Sequence, residues 1–183
     1  MRKILGSYTY EEHADRLGLD KYKTPSQIDN YKVALNYYTN DGYLEINSQL
    51  RSSDPDKKTI QISDYIDNAL MWLPDYNKSQ CVIRFSDLSK DIIDKIIEPN
   101  MIIHELGFTS SSNNPNFNFP TQRKYKIFIY KTNGSEISEY SEFKDESEVL
   151  IDRSSFFKVL RFDQEQNTLY LEQINPEVLE SNT

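Results

Sequence analysis

The chain has 183 residues, of which 37% are hydrophobic, 27% charged and 13% aromatic, and its net charge is −8. That is enough chain for one domain with a sizeable core, and too aromatic a composition for disorder. The acidic balance disfavours a nucleic-acid binder or a protein held on an anionic membrane, because either should carry a basic footprint.

The start, MRKILGSYTYEEHADRL, has two basic residues but no apolar stretch of the kind a secretory signal needs. The expectation is a protein that works where it is made, or one that leaves by a route needing no such signal. No run approaches the ~18 apolar residues of a membrane span. In TPSQIDNYKVALNYY, Thr24 reads as a helix N-cap, Pro25 as the first helical residue and Gln27 as the partner in a capping box. Ile28, Tyr31, Leu35 and Tyr38 then recur at helical spacing. Asn40-Asp41-Gly42 reads as a break, and GYLEINSQLRS as a short second helix that the turn-rich SSDPDKK closes. ISDYIDNALMWLP is a third helix, with Ile62, Ile66, Ala69, Leu70 and Leu73 on one face and Pro74 as the stop.

The character then changes. QCVIRF predicts a strand, and its Cys81, the one cysteine of the chain, reads as a buried strand cysteine that cannot staple anything. LSKDIIDKIIEPN returns to helix and ends at Pro99. KYKIFIYK, SEVLI, FFKVLRF and NTLYLEQ predict further strands, with Asn133-Gly134 as a turn. There is no internal repeat and no low-complexity linker. The expectation is one α+β domain over residues 1–183, helical over about 1–75 and sheet-rich over about 79–175.

One stretch asks for an explanation. In KDESEVLI, Glu146 and Glu148 stand two apart just before an apolar run. If both lie in the strand they face the same side, where like charges repel. Taken singly, this pair is a solvated strand edge, Arg84 a strand-end charge and Ser110-Ser111-Ser112 a turn. His104-Glu105 opens like a zinc-protease helix, but position 108 is Phe, and two histidines with one cysteine make a poor ligand stock. No metal is expected. Five glycines and no Gly-rich phosphate loop exclude a Rossmann-type site.

Taken together and in order, YYTNDGYLEINSQLR, CVIRF, GFTSSSNN and ESEVLI resemble the mono-ADP-ribosyltransferases of the arginine-serine-glutamate class. That class includes the enzymatic components of clostridial binary toxins that modify actin. The family pattern is an arginine ending a first strand, a serine motif on a second and Glu-x-Glu before a third. Arg84, Ser110 and Glu146-Ser147-Glu148 match it. Serine stands at position 111, where the family usually has threonine.

The resemblance implies a fold of two packed, mainly antiparallel sheets with N-terminal helices around an NAD cleft. It implies NAD as co-substrate, a protein bearing a target arginine as acceptor, actin among the possible targets, and delivery into a host cell without a signal. The implied catalytic residues are Glu148, Glu146, Arg84 and Ser110. The implied NAD-binding residues are Tyr38, Tyr43, Asn47, Arg51, Arg84, Ser110, Phe119 and Arg123; Phe119 and Arg123 require a one-residue insertion in the match. Phe143 and Tyr140, with Glu146, are implied to meet the acceptor. Glutamate at position 146 goes with arginine as the acceptor, where glutamine would go with asparagine. Two other readings stand beside this one: an NAD glycohydrolase on the same scaffold, and a catalytically inactive interaction module.

Overall fold

The computed structural model describes residues 1–74, 76, 81–96, 98–117 and 123–175. Helices come first. They are α1 (Arg2–Leu5), α2 (Ser7–Arg16), α3 (Gln27–Tyr37), α4 (Tyr43–Leu50) and α5 (Lys57–Trp72), with α6 (Lys90–Ile96) lying among the strands.

The α3 cap is one box later than the sequence reading. Ser26, not Thr24, is the N-cap: its Oγ accepts the Asp29 N–H at 3.1 Å and Asp29 Oδ2 accepts the Ser26 N–H at 2.9 Å. Thr24 with Gln27 and Ser26 with Asp29 compete for the same helix start. The carboxylate wins because a charged acceptor binds the free N–H more strongly, and it suits the positive helix end. Asn40-Asp41-Gly42 does not break the chain. Residues Tyr38–Gly42 form a π-helical turn that runs on into α4. The Asn36 carbonyl accepts from Thr39 Oγ1 at 3.2 Å and Asn40 Nδ2 at 2.7 Å. Such side-chain competition with the backbone ladder accompanies widened turns. Gly42 is needed there for contact, since a Cβ would stand 2.5 Å from the Tyr37 ring.

Helix α5 starts at its Asp56 cap, whose carboxylate accepts the Thr59 N–H at 2.7 Å. Its buried face, Ile62, Ile66, Ala69 and Leu70, packs on Val33, Ala34 and Leu35 of α3. This helical core also takes in Tyr38, Ile46, Phe108, Ile137 and Leu150.

The strands are β1 (Val82–Ser86), β2 (Ile102–Glu105), β3 (Thr109–Ser112), β4 (Tyr125–Tyr130), β5 (Ser135–Glu136), β6 (Glu148–Ile151), β7 (Ser155–Asp163) and β8 (Thr168–Ile174). They run in the order β2-β7-β8-β4-β1-β3-β6-β5, all antiparallel except β4 with β8. One bridge, Ile83 with Ser112, joins β1 to β3. The sheet therefore works as two: five strands ending at β1, and three beginning at β3. Val149 and Ile151 of the smaller sheet pack with Val82, Ile127, Ile129 and Val159 of the larger. Leu150 points the other way, into the helical core. Strand β6 is covered on both faces, which is why it reads as an unbroken apolar run and not as an alternation. Cys81 lies just before β1 and is only partly buried. No helix among the described residues is long and apolar enough to cross a membrane.

Candidate active site

The site grows from three neighbouring strands. In β3, each serine has a different task. Ser110 Oγ donates to Glu148 Oε1 at 2.5 Å. Ser111 Oγ donates to the Val149 carbonyl at 3.1 Å and so ties β3 to β6. Ser112 Oγ donates to the Glu146 carbonyl at 2.5 Å and accepts the Asn114 N–H at 3.1 Å. Arg84 reaches across from β1, its Nη1 donating to the Ser110 carbonyl at 2.7 Å. Ser110 thus touches the carboxylate with its side chain and the guanidinium with its backbone.

Glu148 is only 5% exposed. Burial pushes its carboxyl up to about 7; the charge of Glu146 adds to that, while the Ser110 hydrogen bond and Arg84 oppose it. Burial also raises Glu146, which is half-buried, and lowers Arg84 from its ordinary value.

The shared strand face expected for the two glutamates is corrected. Glu146 ends a 3₁₀ turn, Lys144–Glu146, and Ser147 is left-handed at φ 47°. The rule that i and i+2 point the same way needs the middle residue extended, and Ser147 is not. Glu146 is delivered to Glu148 by a turn, and the strand begins only at Glu148.

Tyr38 and Asn47 lie behind this strand pair. Tyr38 is 1% exposed, edge-on to Phe108 with ring centroids 5.4 Å apart. Asn47 Nδ2 donates to Tyr38 Oη at 2.9 Å, and Asn47 Oδ1 accepts the Phe108 N–H at 2.8 Å. Both were expected to touch NAD; their polar atoms hold each other and the entry to β3, and Tyr38 is close enough to Glu148 and Arg84 to feel their charges. Tyr43, one helical turn before Asn47, is exposed.

Arg51 ends α4. Its Nε donates to Glu105 Oε1 at 2.8 Å, and the same oxygen accepts the Gly107 N–H at 2.8 Å. Sequence reasoning missed Glu105, having weighed it only as part of a metal motif. It also missed Gly107, where a Cβ would stand 2.7 Å from Asn47 Oδ1. The signal was GFTSSS itself: a glycine just before a strand marks close backbone approach. Arg123 is on the surface, its Nη1 donating to Asp87 Oδ2 at 2.8 Å. Phe119 lies outside the described residues.

The acceptor residues divide. Phe143 is 54% exposed. Tyr140 is not available to an acceptor: its side chain is buried in the helical core, where the 3₁₀ turn Ser138–Tyr140 tucks it. Among the described residues, no group of three or more His, Cys, Asp or Glu is arranged to hold a metal.

The family model for the ADP-ribosyltransferase exoenzyme matches residues 6–178. A protein of Mycobacterium avium (strain 104), provisionally named NAD(+)–arginine ADP-ribosyltransferase Mav, is 31% identical over 132 residues. That match takes in 70% of this chain but only 15% of the relative's length. Among solved structures, exoenzyme S from Pseudomonas aeruginosa, in complex with human 14-3-3 protein beta and bound to carba-NAD, superposes with a TM-score of 0.72 at 19% identity, over 99% of this chain and 92% of that one. The ADP-ribosyltransferase Vis of Vibrio splendidus, in complex with agmatine, gives 0.68 at 22% identity, over 94% and 87%.

Proposed function

The chain belongs to the ADP-ribosyltransferase exoenzyme family, and we propose that it transfers ADP-ribose from NAD to an arginine side chain of a target protein. The family uses NAD as co-substrate and acts on proteins. The choice of arginine rests on one observation: a second carboxylate, Glu146, set beside the buried Glu148 yet close to the surface segment that carries Phe143.

The reaction breaks the bond between ribose C1′ and the nicotinamide nitrogen. The electron pair leaves with that nitrogen, and nicotinamide departs neutral. The positive charge then sits on the ribose ring, as in glycoside cleavage. Glu148, in its carboxylate form and aimed by Ser110, stabilises that charge. Arg84 and Arg51 supply the cations that a pyrophosphate needs. A guanidinium is a poor nucleophile because it stays protonated in water. Glu146 pairs with it, and takes its proton as the guanidine nitrogen bonds to C1′. Phe143, beside that carboxylate in sequence and exposed, is the surface on which a protein acceptor rests.

The name of the Mycobacterium avium relative and the agmatine of Vis, itself a guanidine, agree with an arginine acceptor. Actin is the first protein target to try. The competing reading, a glycohydrolase, uses the same ribose side with water as acceptor. Incubation with NAD and agmatine separates the two: the transferase forms ADP-ribosyl-agmatine in step with nicotinamide, whereas nicotinamide with free ADP-ribose alone overturns the proposal.

A further inference from the structure

The helical half contains one chain of buried polar groups that this chemistry does not use. His13 of α2 and Asn36 of α3 are 1% and 2% exposed. His13 Nδ1 lies 2.7 Å from Asn36 Oδ1, and Asn36 Nδ2 donates to the Tyr140 carbonyl at 2.6 Å. Because Nδ2 is committed to a carbonyl, Oδ1 is the acceptor and His13 Nδ1 is the donor, while His13 Nε2 faces Asp41 Oδ2 at 3.4 Å. The His13 ring also stands edge-on to Tyr37, with centroids 5.4 Å apart. The preceding residues of α3, Val33, Ala34 and Leu35, fill this core with apolar groups. Polar groups are expensive in such a place unless every one is paired, and what they add over apolar packing is direction.

Two further links run beside this chain. Arg16 Nε meets Glu142 Oε1 at 3.1 Å, and Asn40 Oδ1 accepts the Glu142 N–H at 3.4 Å. All the links end on residues 140 and 142, just before Phe143 and the turn that delivers Glu146. They begin on α2, on α3 and on the π-helical turn that carries Tyr38. Asn36 sits at the junction, with its carbonyl widening that turn and its amide holding the acceptor segment.

The geometry points to Asn36, oriented by His13, as a positioning residue that fixes the acceptor segment relative to the ribose site. Its effect is on partition: with the segment in place the ribose cation is taken by a guanidine, and with the segment loose it is taken by water. This inference rests on the transferase reading above.

The test uses Asn36→Leu, which fills the volume without the two hydrogen bonds. Nicotinamide release without acceptor, transfer to agmatine, and hydrogen exchange of residues 138–147 against strand β4 are measured on the whole chain. Transfer should fall about tenfold or more, the scale of a reactive group moved out of line. KM for NAD and hydrolysis should stay within about twofold, and faster exchange should be confined to 138–147. Where that variant fails to fold, Arg16→Ala with Asn40→Ala, both outside the core, reads the same ratio. Transfer and hydrolysis falling together, or both unchanged, or exchange rising evenly through β4, overturns the inference. If the unaltered protein hydrolyses NAD but never modifies agmatine, the transferase reading fails by itself, and the exchange pattern alone decides whether Asn36 anchors the segment.

Discussion

The strand pair that carries Glu148 and the segment that carries Glu146 are neighbours, yet they are held by different means. Strand β6 has hydrogen-bonded partners on both edges, β3 and β5, and packed cores on both faces. Residues 138–147 have no strand; they are two 3₁₀ turns closed by a left-handed serine and tied down by side chains. Local stability follows the density of buried apolar contact and ladder bonding, so the strand pair is the rigid partner. A sugar cation with a fixed position suits the rigid region. An acceptor that arrives on another protein suits the looser one. The two carboxylates sit on opposite sides of that boundary, at Ser147.

The sharpest way to break the comparison is Glu148→Gln. It keeps the shape but removes the charge that the proposed mechanism sets against the ribose cation, and both reactions should fall by about 10² or more, the scale of one preorganised electrostatic group. Nicotinamide release with and without agmatine reads this, and unchanged release would remove Glu148 from its role. The same variant should be more stable than the natural protein above neutral pH. A carboxyl raised from 4.5 to about 7 on folding favours its protonated form. Stability is therefore full below 4.5, declines as pH rises to about 7 and is flat beyond, a loss on the order of 3 kcal/mol by linkage. Glutamine does not ionise and escapes that loss. Denaturant midpoints at pH 5 and pH 8 should differ less in Glu148→Gln than in the unsubstituted protein.

Next in size is Glu146→Gln, where the two regions should part in kind. Transfer to agmatine should fall by about 10², because nothing then takes the guanidinium proton. Hydrolysis of NAD by water should survive, since the strand pair is intact. Equal loss of both activities in both glutamine variants would dissolve the division between the regions. The pH profile makes a related prediction: hydrolysis should rise as Glu148 loses its proton through about 7. A profile that falls over that range would mean the protonated acid is the working form.

The same boundary separates what could be read in the sequence from what could not. Arg84, Ser110 and Glu148 lie within strands, where residue order and side-chain face are tied together, and the structure brings these three together, although Arg84 is the middle residue of β1 and not its end as expected. Helix α5 and strands β4, β6, β7 and β8 were legible in the local apolar pattern, whereas the two packed sheets came only from the family resemblance. Glu146 was given the wrong geometry because alternation was carried across Ser147, whose left-handed backbone leaves no trace in a serine codeword. Tyr140 was assigned to the acceptor by the family resemblance alone, while a 3₁₀ turn buries its side chain. His13 and Asn36 drew no notice, since their partners are 23 and 104 residues away. A buried polar chain of that reach has no local pattern to betray it.

The smallest expected effects come from the two serines, and they test the boundary most finely. Ser110 and Ser112 lie on the same strand, on the same side of it, and differ by one alternation. Ser110 bonds to the Glu148 carboxylate, whereas Ser112 bonds to the Glu146 carbonyl and the Asn114 N–H. A hydrogen bond to a charged group is worth roughly 1.5–3 kcal/mol and one between neutral groups roughly 1. Ser110→Ala should therefore cost about tenfold or more in hydrolysis and transfer alike, because it loosens the group that both reactions need. Ser112→Ala should cost only about fivefold, and only in transfer, because it releases the turn and leaves β6 in its ladder. Both activities are measured in both variants at saturating NAD. If Ser112→Ala lowers hydrolysis as much as transfer, the turn and the strand pair move as one body, and Ser147 is no boundary between them.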